Sequence, residues 1–347
     1  MTTDAKILAA LRTNPSGVSG AHLAEELAIS RAAIWARMDE LRQAGYNIEA
    51  GPHFGYRLVS APDALHADDL LARLHGQREH SRQPEHNPQN QATASIAPHH
   101  KIGRDIRVFE ETTSTNDVIE KLARDGVPEG VVVFAESQTK GRGRLGRKWV
   151  SPTHKGLWFS ILLRPELSPQ ETTQLTAASA TALRRAIQYV TGLAVVIKWP
   201  NDLLIGGKKV VGILTEMSAE VDRVRHVILG IGVDVNQEVE DFPPEIRNIA
   251  TSLKIESGQT ISRAELATTI LRELDADYAR ICSGKFSELA DEWETGCATI
   301  GQKVSVQMGS RLIRGCAEAL DDDGALLVRT EHGHLERVIG GDVTLEK

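Results

Sequence analysis

The sequence is poor in the features that mark secreted, disulfide-stabilised or membrane proteins. It has three cysteines among 347 residues, at positions 282, 297 and 316, an odd number without metal-ligand spacing. It has no apolar run of 18 residues, and Asp4 and Lys6 interrupt the region where a signal peptide needs its apolar core. These absences argue against a disulfide framework and predict a cytoplasmic protein without a membrane partner.

A P-loop of the form Gly-x4-Gly-Lys-Ser/Thr is also absent. The run Gly141-x-Gly143-x-x-Gly146 formally matches a dinucleotide-binding fingerprint, but that fingerprint opens a helix. Here the segment 149–153 follows and contains a proline, which disfavours a helix. Neither common nucleotide-binding motif is therefore predicted.

Positive charge is concentrated in one segment of a chain whose formal net charge is −7. The segment Lys140–Trp149 holds five cations and three glycines, and a second segment, Lys198–Asp202, reads Lys-Trp-Pro-Asn-Asp. Glycines allow a backbone to approach a ligand closely, and arginines match carboxylate and phosphate oxygens. Together the segments predict a site for a phosphate-bearing, negatively charged intermediate.

Each of these residues also has a simpler interpretation. A basic, glycine-rich run is commonly a solvated loop or a non-specific nucleic-acid patch. Arg147 and Lys148 could lie at a solvated loop edge, and Trp149 and Trp199 could belong to the core.

Residues 1–62 predict a winged helix-turn-helix DNA-binding domain. Ser30 is a natural N-cap for a helix whose Ile34, Met38 and Leu41 fall on one face. The exposed start of this helix would meet DNA bases through Ser30, Arg31, Ala32 and Trp35. The alternative is a three-helix scaffold used for protein contacts.

Three further segments differ in composition. Residues 76–101 are rich in Gln, Asn, His, Ser and Pro, which predicts a disordered polar linker and a loosely tethered N-terminal domain. Residues 102–298 predict a mixed β-sheet with covering helices, because strands arrive in hairpins between helices. Residues 299–347 predict a small β-barrel of short strands. The fold class is therefore α+β with several domains.

The two motifs in this order, Gly-Arg-Gly-Arg-x-Gly-Arg-x-Trp and Lys-Trp-Pro-Asn-Asp, resemble the biotin protein ligases. The resemblance implies a class II synthetase-like biotin/lipoate ligase fold for the central domain and an SH3-like barrel after it. The DNA-binding domain resembles that of the bifunctional members, which also repress biotin-synthesis genes.

The resemblance also implies roles for individual residues. Biotin binding is implied for Ser114, Thr115, Asn116, Gln138, Arg142, Gly143, Arg144 and Lys198. Binding of ATP or the adenylate is implied for Gly141, Arg144, Arg147, Lys148, Trp149 and Asn201. Lys198, Arg142 and Arg144 would be catalytic, and no protein metal site is expected. The family's Gly-x-Gly-x-Asn strand is matched with two extra residues before Asn236.

The implied reaction joins biotin and ATP, with Mg²⁺, into biotinyl-5′-AMP and passes biotin to a lysine of a carrier protein. The implied partners are the biotin carboxyl carrier domain of acetyl-CoA carboxylase and the operator DNA of biotin-synthesis genes, with homodimerisation when the adenylate is bound. Two alternatives stay open: a lipoate-type acyl-adenylating ligase, and a ligand-sensing transcription regulator without catalysis.

Overall fold

The computed structural model describes residues 1–76 and 101–345. The predicted polar linker at 76–101 lies outside the described residues except for its two ends. Gly76 ends a helix, and Lys101 begins the central domain with its backbone N–H donating to Asp275 (2.9 Å).

The N-terminal domain is a helix-turn-helix followed by a β-hairpin wing, as predicted. Its elements are α1 (Thr3–Thr13), α2 (Gly20–Glu26), α3 (Arg31–Gln43), β1 (Asn47–Gly51) and β2 (Gly55–Ser60). The Ser30 hydroxyl accepts from the Ala33 N–H (3.1 Å) and caps α3. Ile34, Met38 and Leu41 are buried, whereas Trp35 is 60% exposed. The spacing of apolar residues in α3 therefore assigned its two faces correctly.

A further helix, α4 (Ala67–Gly76), connects this domain to the rest of the protein. It was not predicted from the sequence. Asp69 on α4 receives a hydrogen bond from Arg12 Nε of α1 (2.9 Å) and one from Arg73 Nε (2.8 Å). Leu70 and Leu74 of α4 are buried in the same core as the central domain. The expected loose tethering is therefore wrong for residues 61–76, which pack against both domains.

The central domain is built on a seven-stranded mixed sheet, as predicted. Its strand order is β3-β4-β5-β9-β8-β7-β6, with β3 and β4 parallel and the other neighbours antiparallel. The strands are β3 (Asp105–Thr112), β4 (Val131–Gln138), β5 (Leu157–Leu163), β6 (Val196–Lys198), β7 (Asp202–Ile205), β8 (Lys208–Ala219) and β9 (Val224–Val233).

Helices cover both faces of this sheet, so the interior strand β5 is buried along its whole length. On one face α5 packs Ile119 and Ala123 against β4, β5 and β9. The remaining helices are α5 (Thr115–Arg124), α6 (Thr173–Thr191), α7 (Leu253–Ser257), α8 (Arg263–Cys282) and α9 (Phe286–Gly296), and α6 and α8 lie on the main core. Among residues 1–76 and 101–345, none of the helices has the length and apolarity needed to cross a membrane.

The C-terminal domain is β-rich, as predicted. Five antiparallel strands form one sheet in the order β13-β12-β11-β10-β14. They are β10 (Lys303–Met308), β11 (Arg311–Leu320), β12 (Leu326–Thr330), β13 (Leu335–Val338) and β14 (Asp342–Leu345).

A buried ion pair joins the central sheet, α8 and the chain that leaves the DNA-binding domain. Arg263 is 0% exposed and Glu136 is 2% exposed, and the guanidinium donates to both carboxylate oxygens. Arg263 also donates to the Asp63 carbonyl (2.7 Å), and the Leu65 N–H donates to Glu136 (2.7 Å). His154 Nδ1 lies 3.2 Å from the same carboxylate.

We expect Arg263→Met to lower the free energy of unfolding by about 3–5 kcal/mol, because it leaves the Glu136 carboxylate buried without its partner. Urea denaturation measures this loss. Arg329→Met is the matched control, since the Arg329–Glu318 pair is exposed and should contribute less than about 1 kcal/mol. Equal losses in the two variants would contradict the assignment.

The packing of α4 predicts where the chain can be shortened. A protein that starts at Ala61 keeps Leu65, Leu70, Leu71 and Leu74 in the main core and should fold stably. A protein that starts at Lys101 loses these four leucines, each worth about 1.5–3 kcal/mol when fully buried. Urea midpoints should be clearly lower for the shorter protein, and identical midpoints would show that α4 adds no stability.

Candidate active site

Strand register places two residues of the second motif, Lys198 and Asp202, on one row of the central sheet with two glycines. Lys198 pairs with Asp202, Asp202 with Gly212, Gly212 with Gly232, and Gly232 with Trp158. Because directly paired residues share a face, their side chains project to the same side of the sheet. The two glycines leave space in the middle of this row.

Trp149 fills part of that space. A Cβ atom at Gly212 would lie 2.7 Å from the Trp149 ring, and one at Gly232 would lie 2.5 Å from it. Any larger residue at either position would displace the indole. The Trp149 ring N–H is buried and has no acceptor among the described residues. Trp149 is thus a wall of the site as well as a packing residue.

The glycine-arginine loop between β4 and β5 folds back on itself. The Gly143 N–H donates to the Arg147 carbonyl (2.7 Å), and the Trp149 N–H donates to the Gly141 carbonyl (3.0 Å). A Cβ at Gly141 would lie 2.5 Å from the Trp149 carbonyl oxygen, so glycine is required by this close approach. Leu145 adopts φ 56°, in the left-handed region. The loop therefore has a defined, hairpin-like path beside the glycine row.

Three of the residues expected at the ligand head group lie in one hydrogen-bond network. The Thr115 N–H donates to Gln138 Oε1 (2.9 Å), and Gln138 Nε2 donates to Ser151 (2.9 Å). The Thr115 hydroxyl lies 2.6 Å from the Ser160 hydroxyl, which donates to Asn116 Oδ1. Ser151 and Ser160 were not foreseen, because they join the network only through the tertiary fold.

Ser114 lies beside this network but does not cap α5. It is buried at the N-cap position, and its side chain makes no capping hydrogen bond. Its expected contact with a ligand stays a prediction.

Arg142 is held by two carboxylates. Its Nε and Nη2 donate to Glu216 (3.1 and 2.9 Å), and its Nη1 donates to Asp117 (2.6 Å). The hydrogen bond with Glu216 raises the pKa of Arg142 further above its usual range. Arg142 therefore fastens the loop to β8 and α5, and its charge is already compensated in this structure.

Arg144 is placed differently, because it has no carboxylate as a hydrogen-bond partner among the described residues. It donates to Asn201 Oδ1 (2.8 Å) and to the Gly341 carbonyl (3.2 Å), and burial lowers its pKa. It lines a cavity of about 200 Å³, together with Asn201 and the hydroxyls of Thr176 and Thr215. The structure thus brings Arg144 and Asn201 together and supplies an uncompensated cation to that cavity.

Two further cations of the loop lie at the surface. Arg147 pairs with Asp342 of β14, which ties the loop to the C-terminal domain. Lys148 is exposed, and its backbone forms a bridge with Arg142. Neither side chain joins the hydrogen-bond network that contains Thr115 and Asn116, so their expected nucleotide contacts stay predictions.

Lys209, which was not predicted from the sequence, also lies in the site. Lys209 Nζ is 2.6 Å from Asp202 and 5.3 Å from the centre of the Trp149 ring. Its only sequence signal is its position three residues before Gly212, on the strand that carries the glycine row. Lys198 is half-buried at the end of the same row. Two lysines, rather than one, therefore flank Trp149 and Asp202.

The acidic end of β9 faces Lys209. Asp234 is buried, and that burial raises its pKa well above the ordinary value, while the charge of Lys209 acts in the opposite direction. Gln237 Nε2 donates to Asp234 (2.5 Å). Asn236, the displaced asparagine of the motif, instead exchanges hydrogen bonds with the Ile261 backbone (2.9 and 3.0 Å). Its side chain is therefore committed to holding the segment before α8.

The residues expected to contact DNA all lie on the exposed start of α3. All four side chains are exposed, and they lie within about one helical turn of each other: Ser30, Arg31, Ala32 and Trp35. This surface is separate from the glycine row, and α4 lies between the two domains.

Three family models match successive parts of the chain. The HTH domain matches residues 4–57, the Biotin/lipoate A/B protein ligase family matches residues 108–234, and the Biotin protein ligase C terminal domain matches residues 299–345. The order of these matches is that of the three folded parts described above.

Two curated relatives align over nearly the whole chain, and a solved structure aligns over most of it. The bifunctional ligase/repressor BirA of Bacillus spizizenii is 37% identical over 328 residues, 94% of each chain. The protein of the same name from Escherichia coli is 28% identical, over 97% of this chain and 96% of its own. A biotin protein ligase from Aquifex aeolicus, solved with biotin and ATP, aligns with a TM-score of 0.60 and 32% identity, over 70% of this chain and 99% of its own.

A DNA-binding domain, a biotin/lipoate ligase domain and a biotin ligase C-terminal domain in one chain define the class of biotin protein ligases that carry a DNA-binding domain. The chain belongs to the family of bifunctional ligase/repressors.

Proposed function

We propose that the glycine row and the loop above it bind biotin and ATP, and that they join the two as biotinyl-5′-AMP before biotin passes to a carrier lysine. The observation that carries this proposal is the meeting of a buried amide and hydroxyl network with three cations, of which Arg144 has no carboxylate as a hydrogen-bond partner among the described residues. The network, from Thr115 to Gln138, suits a polar, uncharged head group. Arg144, Lys198 and Lys209 supply positive charge for a carboxylate and a phosphate.

The chemistry needs two anions, the biotin carboxylate and the α-phosphate, at bonding distance. Fixed cations offset their repulsion most strongly in the transition state, where charge is shared between them. Lys209 and Lys198 flank the row from the sheet, and Arg144 enters from the loop. Fixed charges at these positions lower the activation barrier of adenylate formation without a covalent intermediate on the protein.

The loop also protects the product. Biotinyl-adenylate is a mixed anhydride that water destroys, so the site benefits from excluding water. Arg142 fastens the loop to Glu216 and Asp117, and Arg147 fastens it to Asp342. Trp149 closes the space over Gly212 and Gly232.

Mg²⁺ would accompany the triphosphate. Among the described residues there is no group of three or more side chains suited to hold a metal ion. Mg²⁺ keeps several waters and binds substrate phosphates readily, so the nucleotide itself would supply most of its ligands.

Pyrophosphate release tests the proposal. Purified protein with ATP and Mg²⁺ should release pyrophosphate only when biotin is added, and mass spectrometry should detect biotinyl-adenylate. Lipoate in place of biotin should give no more than background. Equal release with lipoate would favour the lipoate-type ligase, and none with either acid would favour a ligand-sensing regulator without catalysis.

We expect Lys209→Gln and Lys198→Gln each to slow adenylate formation by about 10²–10³-fold, because each removes a charge that faces the developing anion. Lys208→Gln is the matched control, since successive strand residues point to opposite faces and Lys208 lies beside Lys209. Single-turnover kinetics at saturating biotin measure the step. If Lys209→Gln forms the adenylate at the rate of the parent protein, Lys209 has only a structural role as the partner of Asp202.

The DNA-binding domain supports a second activity in the same chain. We propose that it binds operator DNA of biotin-synthesis genes, and that the adenylate-loaded protein does so as a homodimer. A two-fold dimer would place its two α3 helices on successive half-sites. The acceptor in the ligase reaction would be the carrier domain of acetyl-CoA carboxylase.

Arg31→Ala should weaken operator binding without changing adenylate formation, because Arg31 lies on the exposed start of α3, away from the glycine row. Binding should fall steeply as salt rises, since phosphate contacts release counterions. Ile34→Ala should instead destabilise the buried side of α3 and unfold this domain. Gel shifts that show no sequence preference, with or without biotin and ATP, would contradict the repressor function.

A further inference from the structure

A chain of three buried side chains ends on a carboxylate outside the expected ligand-binding set. Ser160 is 0% exposed, Asn116 3% and Thr115 4%. Asn116 Nδ2 donates to Glu216 Oε2 (2.7 Å), the Ser160 hydroxyl donates to Asn116 Oδ1, and the Thr115 hydroxyl lies 2.6 Å from Ser160. The chain runs from Glu216 on β8 to Asn116 on α5, then to Ser160 on β5, and returns to α5 at Thr115.

The carboxylate fixes the direction of every hydrogen bond in this chain. An ionised carboxylate only accepts, so the Asn116 amide must turn its N–H₂ toward Glu216 and its oxygen toward Ser160. Ser160 has one proton and gives it to Asn116. The Thr115 hydroxyl then donates in its 2.6 Å contact with Ser160, which is shorter than its 3.3 Å contact with Gln138 Oε1, and the Thr115 oxygen remains an acceptor for a ligand.

Gln138 is oriented by the backbone N–H of Thr115. Its Oε1 accepts from the Thr115 N–H (2.9 Å), so its Nε2 carries both remaining protons, one of which goes to Ser151 (2.9 Å). Thr115 and Gln138 therefore offer an acceptor and a donor side by side. This pair complements a cyclic urea or amide, which carries an N–H donor next to a carbonyl acceptor.

We propose that Glu216 is a specificity-determining positioning residue, which makes the Thr115 hydroxyl an acceptor for an N–H group of the biotin ring. The inference rests on the proposed function, because it assigns the ring-binding part of the same site. Glu216 acts through Asn116 and Ser160 and need not touch the ligand.

Glu216 also contacts Arg142, and the effect of that contact must be distinguished from the effect of Glu216 on Thr115. Both of its oxygens also accept from Arg142, which fastens the glycine-arginine loop. Losing that ion pair would loosen the loop whatever happened to Thr115. Asp117, the other carboxylate on Arg142, is not hydrogen-bonded to Asn116 and provides a control for the loop alone.

The test is calorimetric binding of biotin, without ATP, to the full-length protein and to Glu216→Gln. Glutamine keeps the size of the side chain but can also donate, so the direction of the chain is no longer fixed. We expect the Kd to rise about tenfold, the scale of one misdirected hydrogen bond. The rate of adenylate formation at saturating biotin should fall no further in Glu216→Gln than in Asp117→Asn, because both variants weaken the hold on Arg142. Asp117→Asn should bind biotin within about twofold of the parent protein.

Biotin binding by Ser160→Ala provides a second test if Glu216→Gln folds poorly. Ser160→Ala interrupts the chain between Asn116 and Thr115 and leaves the Arg142–Glu216 pair intact, so it should also raise the Kd about tenfold. Parent-like binding by Ser160→Ala or by Glu216→Gln would overturn the proposal, as would an equal loss in Asp117→Asn. Failure of the parent protein to bind biotin at all would instead refute the proposed function.

Discussion

The buried pair of Arg263 and Glu136 is the constraint on which the arrangement of this protein depends. Two charges without access to water must stay paired, since leaving either one buried without its partner costs several kcal/mol. Glu136 lies two residues before Gln138 on β4, and the same carboxylate contacts His154 and the Leu65 N–H. One interaction therefore aligns the strand that carries the ligand network, the segment that follows the glycine-arginine loop and the chain that leaves the DNA-binding domain.

The arginines of the loop fall into two groups, those paired with a carboxylate and one that is not. Arg142 and Arg147 are paired with carboxylates and hold the loop, whereas Arg144 donates to no carboxylate in the described part of the chain and is available to an anion. Counting cations in the loop therefore overstates its positive charge. The residues that restrain the backbone and those that can stabilise a transition state lie beside each other in sequence but do different work.

The sequence was sufficient for features whose cause is local. Ser30 caps the next helix and Ile34 faces inward because both effects act within a turn or two. Other features had no local signal: α4 is held by Arg12, and the network around Asn116 is completed by Ser160 and Glu216, which lie 44 and 100 positions away. Lys209 was missed for the same reason, since its place beside Trp149 depends on strand register.

We propose that the polar network and the cations beside the glycine row together perform biotin transfer. Intact-mass measurement of a purified biotin carboxyl carrier domain tests it most directly, after incubation with this protein, biotin, ATP and Mg²⁺. The account predicts a carrier heavier by a single biotinyl group, lost when its acceptor lysine is replaced or when ATP is omitted. A carrier of unchanged mass, from a protein that still binds biotin, would contradict it.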